Sequence, residues 1–365
     1  TGLRVVDLSR VLAGPLVAMT LGDLGADVVK IESPAGDDTR RWKPPADAEG
    51  RASYHHAANR NKRSLVLDLK QPADLELAVE LCARADVVVA NFKPRTLERY
   101  GLDYSTLAER NPGVVHCEIT GFGEQSDLPG YDPIVQAVGG LMSITGPPES
   151  ASKTGVAIVD VVTALYATVA VLAALYERRE SGCGQRVTID LLSANLAMLA
   201  NQSAGYLADG VSPLRLGNDH PSIEPFATYA TADGDLMIGA GNDEQFARLR
   251  EAIGLGPDER FATNELRVTN RAAVREALEQ RLRTAPRAQW LESLRAANVP
   301  AGPVQTIGEA FSFAESLGLD VVDETDGVRS VAFPARLSRT PARVRRRPPE
   351  LGEHSDELRR GRASP

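Results

Sequence analysis

Residues 3–32, LRVVDLSRVLAGPLVAMTLGDLGADVVKIE, decide the fold. Leu3-Arg4-Val5-Val6-Asp7-Leu8 is a short apolar run rich in β-branched residues and reads as a buried strand. Gly14-Pro15 opens a helix that Gly25 ends, and Ala26-Asp27-Val28-Val29-Lys30-Ile31-Glu32 repeats the strand pattern before Pro34 and Gly36 break it. The alternation extends outward, with strands at 64–69, 86–90, 114–119 and 185–191 and a helix at 74–84. Strands separated by helices need right-handed crossovers. The expected fold class is therefore α/β, a doubly wound, mostly parallel, Rossmann-like sheet with helices on both faces.

Residues 161–179 form the strongest helical segment, Ala-rich, apolar nearly all round, and closed by Glu177-Arg178-Arg179 before Gly182. The run is shorter than the ~20 apolar residues of a membrane span, so a buried core helix is expected. At 212–225 the composition turns to Ser212-Pro213, Gly217-Asn218-Asp219-His220-Pro221 and Pro225, which marks a domain boundary. Beyond it lie a hairpin over 228–240 with Asp233-Gly234 at its turn and helices near 243–253, 271–283 and 287–297. The expected division is a large domain at 1–212 and a smaller α/β domain at 213–318.

The 365 residues, 43% hydrophobic and 25% charged, suit two globular domains and exclude disorder or coiled coil for the bulk of the chain. Arg4, Asp7, Arg10, Asp23, Asp27 and Lys30 interrupt the first thirty residues, which read as strand and helix rather than a secretory leader. The net charge is −8, yet residues 1–110 balance at 16 basic and 16 acidic groups. Within 40–63, seven basic groups face two acidic ones, which would attract an anionic ligand or form a solvated loop. Cys82, Cys117 and Cys183 are odd in number and widely spaced, which points to a reducing compartment and away from disulfides or structural zinc. Five scattered histidines give no metal-ligand spacing, so no metal is expected. Six arginines in 336–347 lack aromatic interleaving, so a solvated connection across an acidic surface is expected rather than nucleic-acid binding.

No G-x-G-x-x-G follows the first strand, and neither a P-loop nor a G-x-S-x-G elbow occurs. Asp160 follows Gly155-Val156-Ala157-Ile158-Val159 at the start of the long apolar helix, where it reads as an N-cap. That role is compatible with catalysis, since a helix N-terminus would keep the carboxylate ionised for nucleophilic attack.

These blocks together resemble the class III CoA-transferases, the formyl-CoA transferase and carnitine CoA-transferase family of CaiB/BaiF type. The resemblance runs from residues 5–15 and 24–32 through Asn59-Arg60-Asn61-Lys62-Arg63-Ser64, Leu67-Asp68-Leu69-Lys70 and Asn91-Phe92-Lys93-Pro94. It continues in Gly130-Tyr131-Asp132, residues 140–146, Asp160 and Val299-Pro300-Ala301-Gly302-Pro303-Val304. It implies that Asp160 is the nucleophile, passing through an aspartyl–acyl anhydride and an aspartyl-CoA thioester, with CoA thioesters as substrates and no prosthetic group. It also implies CoA contacts at Val11, Leu12, Ala13, Arg40, Leu67, Asp68, Leu69, Lys70, Asn91, Phe92, Lys93 and Arg99, with Tyr131 near the thioester. For Leu12, Leu67 and Leu69 core packing is the alternative. Amides near Gly139-Gly140 or at the helix start are candidates for oxyanion binding.

The resemblance further implies interlocked, ring-shaped homodimers in which 319–365 returns to the large domain, acting in the cytoplasm, or in the mitochondrial matrix if a transit peptide has been removed. Racemases of the same fold carry Gly-His-Asp where this chain has Gly130-Tyr131-Asp132, and a tyrosine is a poor second base, which leaves a racemase as the alternative. A non-catalytic acyl-CoA-binding homologue is a further one. Formyl-CoA enzymes have a glycine run where this chain reads Gly217-Asn218-Asp219-His220-Pro221, so it looks closer to members using succinyl-CoA with glutarate or itaconate. Arg60 is the candidate grip for the distal carboxylate of a dicarboxylyl group, with a surface acid or CoA phosphate as its other possible partner.

Overall fold

The computed structural model describes residues 2–93 and 95–361. Pro94 of the Asn91-to-Pro94 motif and the last four residues of the 319–365 segment lie outside the described residues. By Cα proximity the chain forms two compact units, one of Thr1–Leu141, Thr154–Gly210 and Gly318–Pro365, the other of Met142–Lys153 and Val211–Leu317.

The larger unit is built in the order β1 (Arg4–Asp7), α1 (Ala13–Asp23), β2 (Asp27–Glu32), α2 (Ser53–His56), β3 (Lys62–Val66), α3 (Pro72–Ala83) and β4 (Val87–Ala90). It continues with α4 (Thr96–Tyr100), α5 (Tyr104–Arg110), β5 (Val115–Thr120) and α6 (Asp132–Val138). After the short α7 (Leu141–Ile144), which from Met142 onward belongs to the smaller unit, the larger unit resumes with α8 (Ile158–Ser181), β6 (Arg186–Asp190), α9 (Leu191–Met198) and α10 (Asn201–Asp209). The six strands pair in parallel in the order β3-β2-β1-β4-β5-β6. Successive strand residues face opposite layers. Val5, Val28, Val87 and Val89 pack under α1, α8 and α9, whereas Val6, Val29, Leu65 and Val88 pack under α3, α4 and α5. The sheet is thus wound on both faces, and its order reverses between β1 and β4, where a crevice opens at the carboxyl ends of the strands.

Two local expectations change. β3 starts at Lys62 rather than at residue 64, because Lys62 and Ser64 are buried on polar partners and a polar opening can sit inside a sheet. The long helix is not buried all round. It spans 24 residues, long and apolar enough to cross a membrane by length and composition, and about half of it is buried. Val159, Thr163, Ala167, Val171 and Ala174 pack inward, while Leu165, Tyr166, Val169, Leu172 and Tyr176 stay exposed.

The smaller unit carries a three-stranded antiparallel sheet of β7 (Phe226–Ala230), β8 (Asp235–Gly239) and β9 (Ala301–Pro303). Its helices are α11 (Asp243–Ile253), α12 (Asn264–Thr269), α13 (Arg271–Leu282), α14 (Arg287–Ala296) and α15 (Ile307–Ser316). Tyr229, Ile238, Phe246, Leu249, Leu278 and Trp290 form its separate core.

The C-terminal segment belongs to the larger unit, with a hairpin of β10 (Val322–Thr325) and β11 (Val328–Val331) before α16 (Ser355–Arg360). It runs beside the edge strand β3 rather than over an acidic surface. Arg345 and Arg346 donate backbone N–H groups to Asn61 Oδ1 at 2.6 and 3.1 Å, and His354 N–H donates to the Ser64 carbonyl at 3.0 Å. Val66 N–H donates to Ser355 Oγ at 3.1 Å. The arginine-rich stretch therefore holds Asn61 just ahead of β3, and His354 and Ser355 satisfy polar groups that the edge strand would otherwise leave open.

Candidate active site

The loop after β1 is set by buried charge. Asp7 accepts from Lys62 Nζ at 2.8 Å and lies 3.8 Å from Lys30 Nζ, and all three side chains are fully buried. Burial alone would raise the Asp7 carboxyl, but Lys30 and Lys62 hold it below its ordinary range. Burial likewise opposes the charge on Lys30, which Asp7, Asp37 and Glu32 keep above its ordinary value. Lys62 goes the other way, to about 8, because burial and the charge of Lys30 outweigh Asp7. Lys30 Nζ also donates to the Ser9 carbonyl at 2.7 Å, and Lys62 Nζ to the Pro15 carbonyl at 2.8 Å, so both ends of the 9–15 turn are fastened.

Within that turn Val11 has φ +70°, a left-handed backbone that a β-branched residue adopts only under constraint. Asp37 accepts its N–H at 3.2 Å, and the Asn91 side chain both accepts from Arg10 N–H at 2.9 Å and donates to the Arg10 carbonyl at 2.7 Å. Gly14 permits the close return, since a Cβ there would stand 2.3 Å from Ser9 Cβ.

A groove follows the carboxyl ends of the strands. One cavity of about 260 Å³ is lined by Arg10, Asp37, Leu67, Asp68, Leu69, Lys70 and Phe92. A second, of about 300 Å³ at the β1/β4 reversal, is lined by Arg10, Val11, Leu12, Ala13, Asn91, Phe92, Lys93, Tyr131, Asp132 and Asp160. Arg10 and Phe92 border both. A third, of about 330 Å³, adjoins the second at Phe92 and Lys93. Among the described residues no group of His, Cys, Asp and Glu could hold a metal ion.

Asp160 is 8% exposed and sits in the first turn of α8, not at its N-cap, which is Ala157. The capping carboxylate comes from another helix. Asp132 Oδ2 accepts from Val159 N–H at 2.8 Å and Asp160 N–H at 3.2 Å. The expectation that the helix start keeps Asp160 ionised is therefore corrected. Burial first, and then the Asp132 charge, push Asp160 up to about 7. Its carboxylate has no hydrogen-bond partner among the described residues. Burial and the charges of Asp160, Asp132 and Asp37 together raise the Tyr54 phenol to about 12, which places Tyr54 within reach of the same field. The oxyanion candidates at the helix start are occupied by Asp132, and Gly139 N–H donates to the Val135 carbonyl at 2.8 Å.

Most residues expected at the site from the sequence line the groove, but three arginines do not. Arg40 is bidentate on Glu32, at 2.8 and 2.7 Å. Burial would raise Glu32, but the Arg40 hydrogen bonds, Lys30 and Ser64 bring it to about 2. Arg60 is buried on Asp23 through Nε at 3.0 Å and Nη2 at 2.7 Å, and donates from Nη1 to the Val331 carbonyl at 2.6 Å, so it cannot reach an acyl group in the cavity. Arg99 is exposed on α4 and lines none of the three cavities. Leu67 is a core residue that also borders the groove. Arg10, whose side chain is 62% exposed, was missed although it lies inside the 5–15 block. Asp132 and Gln136 were missed too. Pro133 after Asp132 signals a helix start, but nothing local signals a reach to a second helix.

The sequence profile of CoA-transferase family III matches residues 1–355. The succinate–glutarate CoA-transferase of Agrobacterium fabrum is 44% identical, the alignment covering 98% of this chain and 94% of that protein. The succinyl-CoA:glutarate CoA-transferase of Mus musculus is 39% identical, over 98% of this chain and 85% of its own length. The crystal structure of a CaiB/BaiF family protein from Brucella suis superposes with a TM-score of 0.91 at 44% identity, covering 99% of this chain and 98% of that one.

The new place of Arg60 has a measurable consequence. Arg60→Ala leaves Asp23 buried without its cation and should cost about 3–5 kcal/mol in urea unfolding. The folded fraction should keep its KM for acyl-CoA. Unchanged stability with a raised KM would return Arg60 to the ligand site.

Proposed function

The chain belongs to CoA-transferase family III, enzymes that move coenzyme A between carboxylic acids, and we propose that this one carries it from succinyl-CoA to glutarate through covalent Asp160 intermediates. The observation that supports this most is the placement of a buried, unpaired Asp160 carboxylate in the cavity at the sheet reversal, continuous with a groove that offers Arg10, Lys70 and Lys93. The 3′-phospho-ADP of CoA would lie over Leu67, Asp68, Leu69 and Lys70, with pantetheine passing Arg10 and Phe92 toward Asp160. The substrates follow those of the two glutarate transferases, and itaconate is the second acceptor to test.

In this reading an Asp160 oxygen attacks the thioester carbon, the C–S bond breaks, and the thiolate leaves with the electron pair, giving a mixed anhydride. The thiolate then attacks the Asp160 carbonyl and releases succinate. Glutarate attacks the resulting aspartyl thioester, and the returning thiolate cleaves the second anhydride to give glutaryl-CoA and free Asp160. Each intermediate keeps the acyl energy of the thioester, so water must stay out of the cavity. Racemisation would need a second base opposite Asp160, and the Tyr131 position supplies a 57% exposed phenol instead.

Residues 1–212, apart from Met142–Lys153, which belong to the smaller unit, are assigned to CoA binding and the nucleophile, 213–318 to the smaller domain and 319–365 to the returning segment. A second copy of the chain would cover Leu165, Tyr166, Val169 and Tyr176 of α8 and Leu207 of α10, in the interlocked homodimer of the family. The odd number and wide spacing of the three cysteines support a reducing compartment such as the cytoplasm.

Asp160→Ala should keep CoA affinity by calorimetry and lose turnover by about 10⁴-fold or more. Because only the anion attacks, wild-type kcat/KM should rise with pH through about 7, where Asp160 ionises. Normal turnover by the variant would overturn the nucleophile. In an acceptor panel with labelled succinyl-CoA, glutarate should exceed formate and acetate in kcat/KM by at least about 100-fold; equal rates would refute the dicarboxylate assignment. Sedimentation should give a dimer at micromolar concentration, and an active monomer would refute the assembly.

A further inference from the structure

Asp132 has no task in the reaction as written, yet it is the charged group placed most directly on the nucleophile's helix. It is 5% exposed, and three N–H donors converge on it, those of Val159 and Asp160 and Gln136 Nε2 at 2.6 Å. Gln136 is fully buried and held in turn by Thr154, whose backbone N–H donates to Gln136 Oε1 at 2.9 Å. Among the described residues no cation pairs with Asp132. Its carboxylate is held by neutral donors and borders the same cavity as Asp160.

Resting on the reading of Asp160 as nucleophile, we propose that Asp132 is a positioning residue that holds a fixed negative charge beside Asp160 and thereby favours the covalent states of Asp160 over its free carboxylate. When Asp160 attacks the thioester carbon, its charge leaves on the CoA thiolate and Asp160 becomes a neutral acyl group. The repulsion between the two carboxylates disappears at that step and returns when Asp160 is released. Asp132 also occupies the two helix amides that would otherwise stabilise the Asp160 anion. The other titratable groups around Asp160 are Tyr54 from α2, Tyr131 ahead of α6, and Arg10, Lys93 and Asp127 in the cavity wall. Burial and Asp132 are the two causes that raise Asp160, which agrees with the geometry.

The test uses Asp132→Asn and the double variant Asp132→Asn/Gln136→Glu. In the first, the amide oxygen still caps α8, but its NH₂ meets Gln136 Nε2. In the second, the carboxylate introduced at position 136 accepts from the amide introduced at position 132 and still accepts from Thr154 N–H. The donor pattern is thereby restored with the charge moved away from Asp160. Two quantities are read: the pH midpoint of kcat/KM for succinyl-CoA with glutarate, and the fraction of chain carrying CoA or succinyl on Asp160 after acid quench, by intact mass and peptide mapping. Both variants should move the midpoint down by about 1 pH unit and lower the ratio of modified to free Asp160 about tenfold, one unit being a factor of ten. A lower kcat with the wild-type midpoint and modified fraction would reduce Asp132 to a helix cap and overturn the proposal. If the single variant does not fold, the double variant decides by the same two readings. Modification of wild type at no site, or at a site other than Asp160, would overturn the nucleophile reading, and the role of Asp132 would fall with it.

Discussion

The buried Asp7 carboxylate between Lys30 and Lys62 is the constraint on which the site depends. Four charges with no solvent access, Asp7 and Asp37 against Lys30 and Lys62, are tolerable only when every one is paired and hydrogen-bonded. Here the pairing is completed by carbonyls of Ser9 and Pro15, so the network that neutralises itself also fixes the turn after β1. That turn lies where the sheet order reverses, and its left-handed Val11 forms part of the cavity wall around Asp160. A strained backbone at a ligand-facing position persists because Lys30, Asp37 and Asn91 hold it from three sides.

Much of this was legible in the order of residues. Paired valines in β1, β2 and β4 mark strands buried on both faces, and the helical segments between them require a parallel sheet. Asp160 stands out as the acid at the head of an apolar helix. What could not be read depends on partners far away in sequence. Arg40 and Arg60 look like anion-binding groups within a basic stretch, yet each is bidentate on a buried acid of the sheet or α1. Local charge counts cannot distinguish an arginine awaiting a ligand from one already paired. The environment of Asp160 was hidden for the same reason, since its neighbour Asp132 arrives from another helix, 28 positions earlier. α8 shows the reverse error. A segment apolar on all sides reads as core, but nothing in its periodicity says how many of its faces its own chain covers.

In the proposed reading of Asp160 as nucleophile, the chemistry follows from a conflict of requirements. A carboxylate nucleophile must be ionised to attack and unstable enough as an anion to welcome acylation. Burial and a like charge supply the instability, and a position near neutrality in titration leaves enough of the anion present. The cationic groups Arg10, Lys70 and Lys93 border the groove, and in the proposed reading they would meet the phosphates of CoA.

Oxygen transfer from acceptor to enzyme tests the covalent route most directly. If glutarate attacks an aspartyl thioester and the thiolate then cleaves the anhydride, one glutarate oxygen stays behind on Asp160. A single turnover with succinyl-CoA and ¹⁸O-labelled glutarate should therefore raise the mass of the Asp160 peptide by about 2 Da, with no change in any other peptide. Complete conversion with no ¹⁸O in that peptide would contradict the account.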